Sequence, residues 1–350
     1  TLLRQSSSSM QADSKMTQRN ALIVAELSAN HGNDLGLALE TVDAFASAGA
    51  DAIKVQTFRP ESLCMNIDND YFGPRKSGLW KGKTLWDIYS EGSLPYDWHW
   101  KIQEACQKRG IEFFSSPFDL EAVDFLSSMN VSRYKIASME INDLPLIRKA
   151  ASQGKPIIIS TGLGGIPDIQ KAVDACFEVG NTDVTLLKCT SSYPAPLNAA
   201  NLRTIPDMVR RFGVSVGVSD HTLGFIVPVA SVVLGASLVE KHVVLDKKQE
   251  TLDAAFSLDP SEFSEMVRQV RAAEETMGEV SYDVADEDKL RRRSLFTSVS
   301  FTKGQAVTED DLRSVRPGHG AEPDSISWFI GKRAKLDISA GTPARPEDFE

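Results

Sequence analysis

The chain has 350 residues, 42% hydrophobic and 25% charged, which is the composition of a soluble globular protein too long for one small core. A formal net charge of −10 argues against nucleic acid or a polybasic membrane surface as the partner, so an anionic ligand needs a local cluster of Lys and Arg. The longest apolar run, 224–239, carries Gly and Pro and is too short to span a membrane. The four cysteines form no CxxC pair and read as reduced thiols of a cytoplasmic protein.

Residues 1–20 are polar and Ser-rich with no apolar signal core, and read as a disordered leader; Met10 and Met16 are candidate starts. From Ala21 one rhythm repeats. Apolar, β-branched runs at 21–28, 52–57, 112–117, 133–138, 156–161, 184–190, 215–220 and 237–243 predict strands. Amphipathic stretches such as 34–48, 167–179 and 261–277 predict the helices between and after them. Gly49, Gly110, Gly154, Gly180 and Gly213 close helices just before the next strand. Strands without strict alternation, separated by helices, are parallel and buried on both faces. Eight such units predict an α/β fold, a (β/α)8 TIM barrel over 21–280. Its second βα connection, about 59–98, is long enough to be functional.

A charged linker follows at 281–293, then a small β-rich domain at 294–350. Residues 299–312 and 336–349 align without a gap, Gly304 on Gly341, Asp311 on Asp348 and Leu312 on Phe349, which predicts a pseudo-symmetric unit. At that size its core is marginal.

All eight strands end in polar or ionisable residues, among them Glu26, Lys54, Gln56, Ser116, Lys135, Ser138, Ser160, Lys188, Ser219, Asp220 and Glu240. In a barrel these ends converge on one mouth, where the active site is built. His221 and His242, two of only five histidines, close the neighbouring seventh and eighth strands and face each other across the rim. Two imidazoles suit a divalent cation with open positions, with Asp220 and Glu240 as orienting partners. Lys54, Lys135 and Lys188, with Ser116, Ser138, Ser160 and Ser219, make a ring suited to a small polyanion carrying phosphate and carboxylate. Lys241 is expected to sit in a salt bridge. Glu26 and Glu140 are candidates for acid–base work or for holding a sugar hydroxyl.

The segments AELSANHG (25–32), IKVQT (53–57), FFSSPFD (113–119), YKIASME (134–140), ISTG (159–162), KCTSSYPAP (188–196), SDHTLG (219–224) and EKH (240–242) resemble the sialic acid synthase family. The residues from 294 on, with RPGHG at 316–320, resemble that family's antifreeze-like (SAF) domain, and 141–147, 188–196 and 253–263 look most like its pseudaminic acid synthase branch. The resemblance implies condensation of phosphoenolpyruvate with an N-acetylated hexose. It implies Mn2+ or Mg2+ on His221 and His242, and phosphoenolpyruvate on Lys54, Ser116, Lys135, Ser138, Ser160 and Ser219. It places Glu26 near the reacting carbons and Glu140, Tyr193 and Asp253 toward the sugar. It also implies a domain-swapped homodimer in which Arg316 reaches the partner's site. Ser191 stands where neuraminate synthases carry Asn, a departure that leaves one ligand contact open. Other expectations to be separated are an N-acetylneuraminate or legionaminate synthase, a Schiff-base aldolase using Lys135 or Lys188, and a non-enzymatic sugar-binding module.

Overall fold

A computed structural model of the chain describes residues 20–350 apart from residue 79; the expected leader, save Asn20, lies outside the described residues. The chain divides between Gly278 and Glu279 into two compact units. In the first, eight parallel strands close into a barrel: β1 (Leu22–Glu26), β2 (Ala52–Thr57), β3 (Glu112–Pro117), β4 (Tyr134–Ile136), β5 (Ile157–Ser160), β6 (Val184–Cys189), β7 (Ser215–Asp220) and β8 (Leu238–His242). Each strand pairs with the next, and β8 closes on β1 with Leu22 opposite Leu238 and Glu26 opposite His242.

The barrel places its polar residues by parity. Side chains alternate in a strand, so positions two apart share a face. The inward set at depth is Val24, Ala52, Phe114, Ile158, Leu187 and Leu238, a closed apolar plug. The neighbours on the opposite face, Ile23, Ala25, Ile53, Val55, Ile157, Ile159, Leu186 and Val239 among them, pack in the larger core under the helices. Two residues above the plug, on the same strands, stand Glu26, Lys54, Ser116, Ser160, Cys189 and Glu240. On β7 the plug position is Gly217, where an added Cβ would come within 2.5 Å of Leu238 O and 2.8 Å of Leu187 Cδ2. Glycine is needed there for the plug to close.

The predicted helices appear at Leu35–Ser47, Ile166–Glu178 and Pro260–Met277. The long second connection is not wholly loop: it holds the helices Pro60–Leu63 and Leu85–Gly92. Thr84 and Asp87 form a reciprocal cap, Asp87 N donating to Thr84 Oγ1 at 3.0 Å and Thr84 N to the Asp87 carboxylate at 2.9 Å, which starts the second of these. Among the described residues no helix is long and apolar enough to cross a membrane.

The second unit carries its own core, including Leu295, Phe301, Val307, Leu312, Phe329, Ile338 and Phe349. Its strands β9 (Ser294–Thr297) and β10 (Leu312–Val315) are antiparallel. The sequence duplication is a real pseudo-twofold. Phe301 and Ile338 exchange both backbone hydrogen bonds, at 2.7 and 2.9 Å, across the axis. Gly304 N donates to Ala334 O at 2.7 Å, and its counterpart Gly341 N donates to Thr297 O at 2.8 Å. Both glycines adopt the left-handed region, φ 84° and 82°, at the equivalent turn.

Candidate active site

A cavity of about 370 Å3 opens at the C-terminal ends of the strands, lined by the expected site residues except Lys188, Asp220 and Arg316. Its floor is a buried charge network. Glu240 receives Lys135 Nζ at 2.9 Å on both carboxylate oxygens, lies 3.8 Å from Lys54 Nζ and accepts from Ser219 Oγ at 2.9 Å. Lys54 Nζ also lies 2.8 Å from Glu26 and donates to Ser116 Oγ at 3.3 Å. Burial alone would raise the Glu240 pKa, but Lys135 and Lys54 outweigh it and hold the carboxyl down at about 2. For Glu26 burial wins over Lys54, and its pKa is raised. The site therefore has two buried lysines against one firm carboxylate and one carboxyl pushed toward its neutral form. That balance favours an incoming anion.

A second chain of contacts leads to the imidazoles. Gln56 Nε2 donates to Glu26 at 3.0 Å and to Ser28 Oγ at 2.9 Å; Ser28 Oγ donates to Asp253 at 2.6 Å, and Asp253 lies 3.7 Å from His242 Nδ1. The rings of His221 and His242 are 5.1 Å apart between centroids. Phe256 packs edge-on against both, at 6.1 and 5.0 Å, and Tyr193 against His221 at 4.5 Å. The Thr190 carbonyl lies 3.1 Å from His221 Nδ1 and can only accept, so that nitrogen carries a proton. Burial alone would lower the His221 pKa, but Cys189, its Sγ 3.9 Å from Nδ1, outweighs it and raises it. His242 Nδ1 is buried without a hydrogen-bond partner. Burial first, then the neighbouring His221, holds His242 well below the ordinary imidazole pKa and therefore neutral.

This donor set fits a divalent cation bound by two imidazoles, His221 giving up its extra proton on binding, with its other positions open. Among the described residues no group of three or more His, Cys, Asp and Glu could close around a metal. The expected orienting partners are corrected. Glu240 serves the lysines, and Asp220 takes Lys241 Nζ at 2.6 Å and the Thr222 hydroxyl at 3.1 Å, so Lys241 is the salt-bridged lysine the sequence suggested.

Lys188 is also corrected. It points away from the cavity, its Nζ donating to Cys189 O at 3.0 Å, while Cys189 takes the inward place. Ser138, Ser191 and Cys189 converge because residue 162 is glycine: a Cβ there would collide with Ser191 Oγ and sit 3.0 Å from Ser138 Oγ. Ser160 Oγ is buried with no hydrogen-bond partner. Glu140 lines the far side of the cavity, its pKa pushed up to about 7 by burial. Arg316 belongs to the second unit and is exposed directly after β10. Residues without an assigned role from sequence are Gln56, Ser28, Cys189, Phe256 and the Trp80 and Tyr89 of the long connection.

A model of the NeuB family matches residues 41–282, and one of the SAF domain matches residues 292–350. The chain is 42% identical over 345 residues to a pseudaminic acid synthase of Campylobacter jejuni, covering 97% of this chain and 100% of the relative. It is 40% identical to a pseudaminic acid synthase of Helicobacter pylori, covering 94% and 97%. The crystal structure of N-acetylneuraminic acid synthetase from Leptospira borgpetersenii in complex with citrate superposes with a TM-score of 0.69 at 28% identity, over 78% of this chain and 90% of that one. With the barrel, the strand-end residues and the duplicated second unit in agreement, the chain belongs to the NeuB family and carries a SAF domain.

Proposed function

We propose that this protein condenses phosphoenolpyruvate with 2,4-diacetamido-2,4,6-trideoxy-L-altrose, giving the nonulosonic acid pseudaminic acid and inorganic phosphate. The observation that carries the reading is the buried Lys54–Lys135 pair on one firm carboxylate, beside two facing imidazoles, in a chain so similar to pseudaminic acid synthases. Lys54, Lys135 and the hydroxyls of Ser116, Ser138, Ser160 and Ser219 hold the phosphate and carboxylate, fixing C3 of phosphoenolpyruvate over the sugar's aldehyde carbon. Tyr193, Asp253, Ser191 and Glu140 face the sugar. C3 attacks the aldehyde carbon, whose oxygen takes the C=O electron pair as an alkoxide, and the new C–C bond leaves positive charge at C2. Water adds at C2, giving up its proton to Glu26, whose raised pKa suits a group that takes that proton and passes it on to neutralise the alkoxide. The C2–O bond to phosphate then breaks, leaving a 2-keto acid. A divalent metal, Mn2+ or Mg2+, held by His221 and His242 would supply Lewis-acid polarisation of the aldehyde oxygen.

Phosphate release on mixing phosphoenolpyruvate with the diacetamido sugar tests the reaction. Lys54→Ala or Lys135→Ala is expected to raise the KM for phosphoenolpyruvate by about ten- to a hundredfold, from a lost charge-assisted contact of about 1.5–3 kcal/mol, with a smaller change in the KM for the sugar. Unchanged KM values in both variants would overturn the anion site. Borohydride with pyruvate should trap no adduct; an adduct on Lys135 would favour an aldolase. Free, buried Cys64, Cys106, Cys176 and Cys189 support a cytoplasmic setting.

For the assembly we propose a homodimer in which Arg316 serves the partner's cavity, as the family resemblance implies. Refolding an Arg316→Ala chain with a His221→Ala chain should then restore up to about a quarter of wild-type activity, since half the dimers are mixed and each has one intact site. No recovery, with mixed dimers shown to form, defeats the exchange.

A further inference from the structure

One lobe of the cavity is lined by the long second connection, whose residues have no role in the condensation. Glu140 lines the same cavity and follows β4, which lies across the barrel from β8 and its His242. Trp80 is held by a doubly bonded turn, Arg75 N donating to Lys83 O and Gly82 N to Arg75 O, both at 2.9 Å. The Arg75 guanidinium lies 6.0 Å from the Trp80 ring, and Lys83 pairs with Glu91 on the helix Leu85–Gly92. Phe58, Leu63, Leu85 and Ile88 make the walls, with Tyr89 edge-on to Phe58 at 5.9 Å.

Two polar atoms of the cavity-lining residues are buried and have no hydrogen-bond partner among the described residues and no part in the charge network of the floor: Trp80 Nε1 and Glu140 Oε2. An indole N–H is a donor only and a carboxylate oxygen an acceptor. A buried donor or acceptor left unmatched is destabilising, so a ligand that satisfies both is favoured. The complement is an acceptor beside a donor with a small apolar end, which is a secondary acylamino group. We propose that Trp80 is a specificity-determining residue whose N–H takes the carbonyl of a second acylamino group on the sugar, remote from the reacting carbon, with Glu140 facing that group's N–H. This rests on the synthase reading for the sugar's identity, not for the shape of the lobe.

The test uses Trp80→Phe, which keeps the ring and removes the N–H. It compares the diacetamido sugar with an analogue carrying a 4-hydroxyl in place of the second acetamido group. The variant should lose about ten- to a hundredfold in kcat/KM for the diacetamido sugar, and less than about threefold for the analogue. Its KM for phosphoenolpyruvate and its melting temperature should stay unchanged. Equal losses on both sugars, or no loss on either, would overturn the assignment. If the wild type releases no phosphate from either sugar, the synthase reading fails by itself. Calorimetric affinities of the two sugars for both proteins then decide the lobe by the same selective loss.

Discussion

His221→Ala and His242→Ala are each expected to lower turnover by about a thousandfold or more, a loss of several kcal/mol of transition-state stabilisation, while the barrel stays folded. The imidazoles face each other at 5.1 Å, and among the described residues no group of three or more His, Cys, Asp and Glu is placed to hold the cation together. A site with two protein ligands cannot keep its cation on one. Each variant should therefore also fail to retain Mn2+ by elemental analysis after gel filtration, a readout independent of turnover. His242 packs on Phe256 at 5.0 Å, so its truncation leaves a small void, and the melting temperature should fall by a few degrees only. Chelation of the wild type should abolish phosphate release, with Mn2+ or Mg2+ restoring it. Full activity after chelation would remove the metal from the reaction.

The sequence reading found the barrel because its signals are local and redundant. Buried parallel strands are short β-branched runs, and glycines such as Gly110 and Gly213 close helices in the left-handed region, φ 71° and 67°. Which strand-end residue faces the cavity was harder. In β6 both Leu186 and Leu187 are apolar, since one packs under the helices and the other in the plug. A strand buried on both faces carries no alternation from which to read parity. Chemistry along β6 therefore points inward to Lys188, the more attractive group, and away from Cys189. The partners of Glu240 are hidden for a related reason: they are Lys135 on β4 and Lys54 on β2, contacts across the barrel interior that spacing along β8 does not encode. Trp80 and Phe256 come from connections, where no period marks which side chain turns inward. Glu26, Lys54, Ser116, Lys135, Ser160, Ser219 and the His pair were legible because polar groups at the end of apolar strands are costly unless a site uses them.

Glu240→Gln is expected to destabilise the barrel by about 3–5 kcal/mol, the range for removing one partner of a buried ion pair, and anions should restore much of it. Glu240 is buried and takes both contacts from Lys135 at 2.9 Å. Its amide isostere keeps the shape and an acceptor but removes the charge. Lys54 retains Glu26 at 2.8 Å, whereas Lys135 is left without its close counter-ion. Burial already lowers the Lys135 pKa against the pull of Glu240, so loss of that carboxylate pushes the amine further toward neutrality. The pH dependence follows in sign. A carboxyl held at about 2 in the fold, against 4.5 normally, contributes fully above pH 4.5 and loses its contribution as pH falls toward 2. The gap between wild type and variant should therefore be full at pH 7 and close on acidification below pH 4.5. Glu240 also repels any anion bound by the two lysines, so the variant should bind inorganic phosphate and phosphoenolpyruvate about tenfold more tightly. Binding stabilises by RT ln(1 + [L]/Kd), and added phosphate should raise the melting temperature of the variant more than that of the wild type. Turnover should nonetheless fall, because Lys135 and Ser219 lose the carboxylate that orients them. A melting deficit that phosphate leaves untouched would show that Lys54 and Lys135 do not form the anion site, and that Glu240 is there for the fold alone.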